Sequence, residues 1–583
     1  MSNFQEKVSF IWDIADLLRG HYKRSEYQDV VLPFTVLKRF DCVLSDTKDD
    51  VLKKYEKFKD EFENKEHLLK SATKGLTFYN YSKYDFNALL QDPEHIEQNI
   101  LHYMDCFSQN VQDIFENFGV KTQIEKLAKA NLLFKLVRKF NETKIDLHPD
   151  VVDNYEMGLI FEELVRKFAE QSNEEAGEHF TPRDVIDLMT VLMFKEAKDQ
   201  IKGEHKIKRI YDPACGTGGM LTSAKNYILG NINSSIDIVL YGQEINPKTY
   251  ATAKADMLLK GENSDNIKGP ASTLSEDGFK DEKFEYLLSN PPYGTKWEAD
   301  KEAVVEEAEE RGENGRFGAG LPRINDGQLL FLQHMISKMK ANGEASRMAV
   351  ITNGSPLFTG DAGSGESNIR KWIIENDLLE AIVALPNQLF YNTGIHTYIW
   401  ILTNQKPKER LGKIQLINAT SFWNKMRKSL GNKRHTLDEK HIEKIEKLYH
   451  EFEASKNSKI FDNQDFGYTK VLVERPLQLN YQVSEERLEN LYAYSAFAKL
   501  AQSKSKKIKI KEQEEQEGRD SQERIIKSLK KIGTKLYKNW DEFEKEILKV
   551  LKDFKLNPSF IKNIILSLSE HDEFADYVLD KKG

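Results

Sequence analysis

The chain has 583 residues, 39% of them hydrophobic and 31% charged, with 93 acidic against 85 basic side chains and a formal net charge of -8. Such a length predicts three to four domains with ample core; it holds no run of about 18 apolar residues to span a bilayer, and Met1 to Lys7 lack the basic start of a signal peptide. A protein that grips a duplex unaided is usually basic overall, so any action on DNA calls for a partner or a local basic patch.

Residues 1–150 read as a helical domain. Phe10, Ile11, Ile14, Leu17 and Leu18 repeat at helical spacing, and Val30 to Leu37 begin a second apolar run. The domain holds no catalytic spacing and reads as a packing or docking unit. Three widely spaced cysteines, Cys42, Cys106 and Cys215, form neither a disulfide framework nor a zinc cluster, which suits a reducing, cytoplasmic setting.

From Met157 the texture changes. A helix opens there and runs to the loop at Glu175-Ala176-Gly177, followed by Glu178-His179-Phe180-Thr181-Pro182-Arg183-Asp184. Thr181 is a sensible N-cap, with Pro182 at the first helical position and Asp184 in the first turn; Phe180 has the place of a hydrophobic staple. The strand Arg209-Ile210-Tyr211 then delivers Asp212-Pro213-Ala214-Cys215-Gly216-Thr217-Gly218-Gly219 and a helix from Met220. Gly216 and Gly218 permit a tight turn that a ligand can approach closely, with the free N–H groups of a helix start behind it. The turn is neither a Walker loop nor a dinucleotide fingerprint, and Asp212 suits a ligand with a cationic or amino-acid portion. The second strand, Ile236 to Gly242, ends in Gln243-Glu244, where an acid is placed to accept from both hydroxyls of a ribose.

A third element ends at Ala271-Ser272-Thr273-Leu274, and a fourth strand, Phe284 to Leu288, delivers Ser289-Asn290-Pro291-Pro292-Tyr293-Gly294. The prolines end that strand abruptly. The amide oxygen of Asn290 and the carbonyl of Pro291 are two acceptors for one exocyclic amino group. They favour its tetrahedral, nucleophilic form as charge develops. Tyr293 offers a flat face for a planar base. Strand ends that each carry a ligand-compatible residue are how an open parallel sheet builds a site along its carboxyl edge.

Trp297 to Gly320 reads as a mobile loop placed to cover that site or to touch a nucleic acid backbone. Strands resume at Met348–Ile351, Leu379–Leu385 and Thr397–Leu402, and the sheet is expected to be complete by about Lys406. Ser503 to Arg524 is a charge-dense linker or exposed helix, and a helical tail fills 525–583.

The ordered set Gly177 to Arg183, Asp212 to Gly219, Glu244 and Asn290 to Tyr293 resembles the amino-methyltransferase subunit of type I restriction-modification systems. The resemblance reaches Val473-Glu474-Arg475-Pro476, so it covers roughly 1–480; Ser272 departs from the Asp or Asn that related enzymes often carry. It implies an α/β, Rossmann-like S-adenosylmethionine-dependent methyltransferase sheet at 151–480, between a helical domain at 1–150 and a helical, charged extension at 481–583. It assigns S-adenosylmethionine to Glu178, His179, Phe180, Thr181, Pro182, Arg183, Asp212, Gly216, Thr217, Gly218, Gly219 and Glu244. Asn290, Pro291, Pro292 and Tyr293 would hold an adenine flipped from double-stranded DNA and aim its N6 at the methyl group. No metal is required. The resemblance also implies a separate specificity subunit that selects the target, two copies of this chain per specificity chain, and a third, restriction subunit for cleavage. Asn-Pro-Pro-Tyr also serves methylation of protein glutamine amides or RNA guanine, and a scaffold without activity is a further reading of the same chain.

Overall fold

The computed structural model describes residues 7, 9, 11–172, 181–195, 201–203, 206–341, 343–391, 393–471, 473, 477–503 and 508–579. They fall into two compact units, residues 1–469 and 470–583.

The larger unit is built on a nine-stranded sheet. Its strands are β1 (Ile207–Asp212), β2 (Asp237–Gln243), β3 (Ile267–Lys268), β4 (Tyr286–Ser289), β5 (Arg347–Thr352), β6 (Leu379–Ala384), β7 (Tyr398–Thr403), β8 (Lys413–Asn418) and β11 (Ser458–Asp462). Two short strands, β9 (Asn424–Leu430) and β10 (Lys433–Thr436), stand apart as an antiparallel ribbon. The sheet order is β11-β8-β6-β7-β5-β4-β1-β2-β3. β3, β2, β1, β4 and β5 run parallel, and β7 is antiparallel to both its neighbours. The chain winds outward from β1 through β2 to β3, then returns to place β4 on the other side of β1. The carboxyl ends of β1 and β4 therefore flank the switch point, where such sheets bind ligands.

β4 has all four residues buried, as a strand covered by helices on both faces should. Pro291 and Pro292 lack the N–H that would continue its ladder. Contrary to expectation, the sheet does not stop near Lys406: β8 pairs with β6, and β11 pairs with β8. Ile414 and Ile417 of β8 bury their side chains in the cores on opposite faces of the sheet, despite polar neighbours.

Residues 11–150 are helical around α1 (Gln28–Leu44), buried along most of its length. Arg39 is fully buried there; its guanidinium donates to the carbonyl of Val152 at 2.7 Å and to Asn154 Oδ1 at 2.7 Å. Asn154 Nδ2 in turn donates to the carbonyl of Leu259 at 2.9 Å, so one polar chain ties the helical front to the sheet's covering helices. Among those, α2 (Asn154–Ser172), α3 (Arg183–Phe194), α4 (Gly219–Asn231) and α5 (Pro247–Leu259) surround the switch point. α5 is buried on nearly every side, and Lys254 pairs with Asp113 of the front domain at 2.5 Å.

Trp297 to Gly320 is not a mobile loop. Lys301–Arg311 forms α6, and Trp297, Val304 and Phe317 pack with Leu274, Leu330 and Phe331 in a small core of their own. The acidic composition belongs to the exposed face of α6.

The smaller unit is more than a helical tail. Strands β12 (Leu479–Tyr481) and β13 (Ser569–His571) pair antiparallel, and the helices Glu485–Ala493, Ile508–Leu529, Trp540–Leu551 and Pro558–Ser567 bury Tyr481, Leu491, Phe497, Leu529, Phe543 and Ile564. The charge-dense run supplies the exposed face of Ile508–Leu529, whose Ile525 and Leu529 enter that core. Among the described residues no helix is long and apolar enough to cross a membrane.

Candidate active site

A cavity of about 530 Å³ opens at the carboxyl ends of β1, β2 and β4. Asp212, Gly216, Thr217, Gly219, Glu244, Thr181 and Asn290 line it, all expected from the sequence, together with Pro292. Gly218, Pro182, Arg183, Pro291 and Tyr293 are not among its lining residues. Glu178, His179 and Phe180 lie outside the described residues.

β1 ends at Asp212, 2% exposed, whose Oδ1 accepts from Ser289 Oγ at 2.7 Å and from the amide of Ala214 at 3.0 Å. This contact closes the switch point between β1 and β4. Burial pushes the carboxyl up to about 7, only partly opposed by its two hydrogen bonds, with the charge of Glu244 adding to the rise. Glu244 follows β2 and is also buried, which raises its pKa against the pull of backbone N–H donors. Its Oε2 accepts from the amide of Gly216 at 2.9 Å and its Oε1 from the amide of Asn246 at 2.8 Å. A carboxylate has about four lone-pair sites, so Glu244 braces the glycine turn and keeps acceptor capacity for hydroxyl groups in the cavity.

The glycine turn is built as its residue types require. Gly218 is the N-cap of α4 at φ +80°, and a Cβ there would sit 2.9 Å from Met257 Cε. A Cβ on Gly219 would come 2.3 Å from Glu162 Oε1. That carboxylate pairs with Arg183 at 2.5 Å, so Arg183 fixes a wall of the cavity from behind.

Thr181 is not the N-cap of α3. Pro182 holds that place with extended backbone, its carbonyl accepting from the amides of Val185 and Ile186, and the helix begins at Arg183. The Thr181 hydroxyl is turned to another use: it accepts from Asn290 Nδ2 at 2.9 Å. The other end of that carboxamide, Oδ1, accepts a short hydrogen bond from the Tyr293 hydroxyl. The Tyr293 and Phe390 rings meet in a T-shaped arrangement at 6.3 Å between centroids.

Sequence reasoning missed the far wall. Trp297 and Phe331 line the cavity, and Thr273 and Leu274 form its rim. Arg316 holds that rim by donating to the carbonyls of Thr273 at 2.8 Å and Leu274 at 2.9 Å while pairing with Glu307 at 2.6 Å. Thr273 and Leu274 stand at the end of the third element, where the sequence places them, but nothing local marks Phe331 or Arg316, and the contact of Arg316 with Thr273 spans more than 40 positions.

A profile of the family described as N-6 DNA Methylase matches residues 152–472, more than half of the chain. The chain belongs to that family. Residues 7–140 match the HsdM N-terminal domain. The N-6 DNA methylase is similar to the type I restriction enzyme MjaIX methylase subunit of Methanocaldococcus jannaschii, 26% identical over 79% of this chain and 79% of that protein. It is also 31% identical to the type I restriction enzyme HindI methylase subunit of Haemophilus influenzae over 45% of this chain and 54% of that one. Among solved structures, the type I restriction-modification system methyltransferase subunit from Streptococcus thermophilus superposes with a TM-score of 0.61, at 24% identity, over 79% of this chain and 96% of that one. That likeness shows the fold.

Methylases of this family use S-adenosylmethionine as methyl donor. The cavity fits it. Its volume is in the range of small-ligand sites, about 300–1,000 Å³, the glycine turn leaves no room for side chains at Gly218 and Gly219, and the buried acids Asp212 and Glu244 favour a ligand that carries positive charge and hydroxyl groups.

Proposed function

We propose that this chain methylates N6 of adenine in DNA as the modification subunit of a type I restriction-modification assembly. One observation carries the reading: Asn290, at the end of β4, faces the same cavity as Asp212, the Gly216–Gly219 turn and Glu244. Glu244 and the amides of the turn would hold the nucleoside part of the donor, and Asp212 its cationic part. When bound, S-adenosylmethionine supplies an electrophilic methyl group.

Asn290 does the work on the acceptor side. Thr181 holds its amide nitrogen, which fixes the carboxamide oxygen toward Tyr293. An adenine flipped out of the duplex takes the place of the Tyr293 hydroxyl on that oxygen, and the carbonyl of Pro291 accepts the second N6 hydrogen. The released Tyr293 ring then stacks on the base. The two acceptors strengthen as the amine gains positive charge, so they stabilise the transition state more than the ground state. A separate specificity subunit selects the target, two copies of this chain serve each specificity chain, and a restriction subunit completes the assembly.

The test is mapping of modified bases in the genome of a host that expresses this chain with its specificity subunit, against the same host carrying Asn290→Ala. N6-methyladenine at a two-part motif, lost in the variant, is the expected result. Equal maps from both strains would overturn the reading and return protein amides or RNA as acceptors.

A further inference from the structure

The β9–β10 ribbon is the most one-sided charge feature beside the site. Residues 423–436 hold Lys425, Arg427, Lys428, Lys433 and Arg434 with no Asp or Glu, in a chain whose acids outnumber its bases. Only Lys433 is spent internally: it is buried and donates to both oxygens of Asp184, at 3.0 and 2.9 Å, and to the carbonyl of Leu389 at 2.9 Å. Lys425, Arg427, Lys428 and Arg434 are exposed, and among the described residues they pair with no carboxylate. Trp423 stacks on His435 at the base of the ribbon, 3.6 Å between ring centroids.

The turn of the ribbon and β10 tie it to the acceptor side of the cavity. The amides of Asn432 and Arg434 donate to the carbonyls of Tyr391 at 2.7 Å and Gln388 at 2.9 Å. That same loop carries Phe390, the partner of Tyr293. Asp184, which anchors Lys433, lies three residues beyond Thr181, the partner of Asn290. Lysines on a ribbon edge also discourage strand pairing, but that role does not call for a β10 strand anchored beside the catalytic asparagine or for arginines on both strands.

We propose that Lys425, Arg427, Lys428 and Arg434 bind the phosphate backbone of duplex DNA next to the base presented to Asn290, the ribbon being the local basic patch of an otherwise acidic chain. The inference rests on the reading of this chain as a DNA methylase. A two-stranded ribbon has the dimensions to lie in or across the major groove, and phosphate contacts there position the duplex without reading sequence.

The experiment compares the full chain with its K425Q/R427Q/K428Q/R434Q variant in fluorescence anisotropy on a labelled duplex, at several salt concentrations. Each lost phosphate contact lowers the log–log salt slope by about 0.9, so the slope should fall by about 3 to 4 and affinity by on the order of 10²- to 10³-fold near 0.1 M salt. Melting temperature and S-adenosylmethionine binding should be unchanged, and the loss should be the same for any duplex sequence. An unchanged slope, a wild-type chain that fails to bind duplex at low salt, or preferential binding of single-stranded RNA of equal length would overturn the proposal. So would a variant that keeps DNA affinity and loses only its association with the specificity subunit. A wild-type chain that methylates adenine while the variant's slope is unchanged would sink the ribbon alone, whereas absence of N6-methyladenine sinks the reading beneath it.

Discussion

Asn290 Nδ2 donates to Thr181 Oγ1 at 2.9 Å across 109 positions of sequence. The contact, with that of the Tyr293 hydroxyl at the other end, clamps the carboxamide between two side chains. With its nitrogen held by the loop before α3, its oxygen is the end presented beside Tyr293. If Asn290 holds the acceptor as proposed, Thr181 is a positioning group that acts through it.

Thr181→Val removes the hydroxyl and keeps the shape. A lost hydrogen bond of this kind costs about 0.5–1.5 kcal/mol, so single-turnover methyl transfer should slow by roughly 2- to 10-fold with donor affinity unchanged. Thr181→Ser should restore the rate. Asn290→Ala should be far more severe, on the order of 10²- to 10³-fold. Equal losses in the two variants would mean that Thr181 touches a reactant directly.

The Asp212 carboxyl titrates near neutrality because burial raises its pKa from 3.8 to about 7. The folded protein therefore holds a proton there that the unfolded chain has released, and stability falls as pH rises from about 4 to about 7, by up to about 1.4 kcal/mol per pH unit. Above 7 the slope from this group vanishes. Asp212→Asn should remove it, which thermal melts between pH 4.5 and 8 will read as a flatter profile for the variant. A cationic ligand favours the ionised form, so donor affinity of the wild type should rise with pH through about 7 and that of the variant should not.

How much of this was legible in the sequence follows from the range over which each feature is determined. Strands β1, β2, β4, β5, β6 and β7 lie where apolar runs placed them, and the turn from Asp212 to Gly219 lies where its glycines did, since both are set by neighbouring residues. β8 and β11 were hidden because Gln415 and Lys459 interrupt their apolar pattern and their pairing partners are remote. Thr181 carried the marks of an N-cap, and a tertiary partner took its hydroxyl instead. Trp297 to Gly320 was read as a loop from its acids and glycines, and the three apolar side chains that pin it gave no periodic signal.

The glycine turn separates two costs. Gly216 sits at φ +56° with open space around its Cβ position, so Gly216→Ala pays only for the left-handed backbone, about 1–2 kcal/mol. Gly218 sits at φ +80° with Met257 Cε 2.9 Å from that position. Gly218→Ala should lose more stability than Gly216→Ala, and that extra loss should disappear when the two are compared in a Met257→Ala background, which is itself costly because Met257 is buried. Chemical denaturation of these variants, with donor titration by calorimetry, measures both.

Arg316 offers a test of the far wall. Its side chain is largely buried and spends its donors on the carbonyls of Thr273 and Leu274 and on Glu307. Burial alone would raise the Glu307 carboxyl, yet the hydrogen bonds and charge of Arg316 hold it below the usual carboxylate range. Removing the guanidinium leaves a half-buried carboxylate and two carbonyls without their donor, a change that typically costs about 1–3 kcal/mol. Arg316→Ala should therefore destabilise the protein by about that amount, raise the KM for the donor because the Thr273–Leu274 rim is no longer held, and speed hydrogen exchange in residues 301–311. Since Glu307 is depressed, the stabilising effect of the pair is present above the ordinary carboxylate range and is lost as pH falls through the depressed value, so the gap in melting temperature between wild type and variant should narrow in acid. A variant with normal exchange in 301–311 and a pH-independent gap would show that Arg316 neither pins the segment nor controls Glu307.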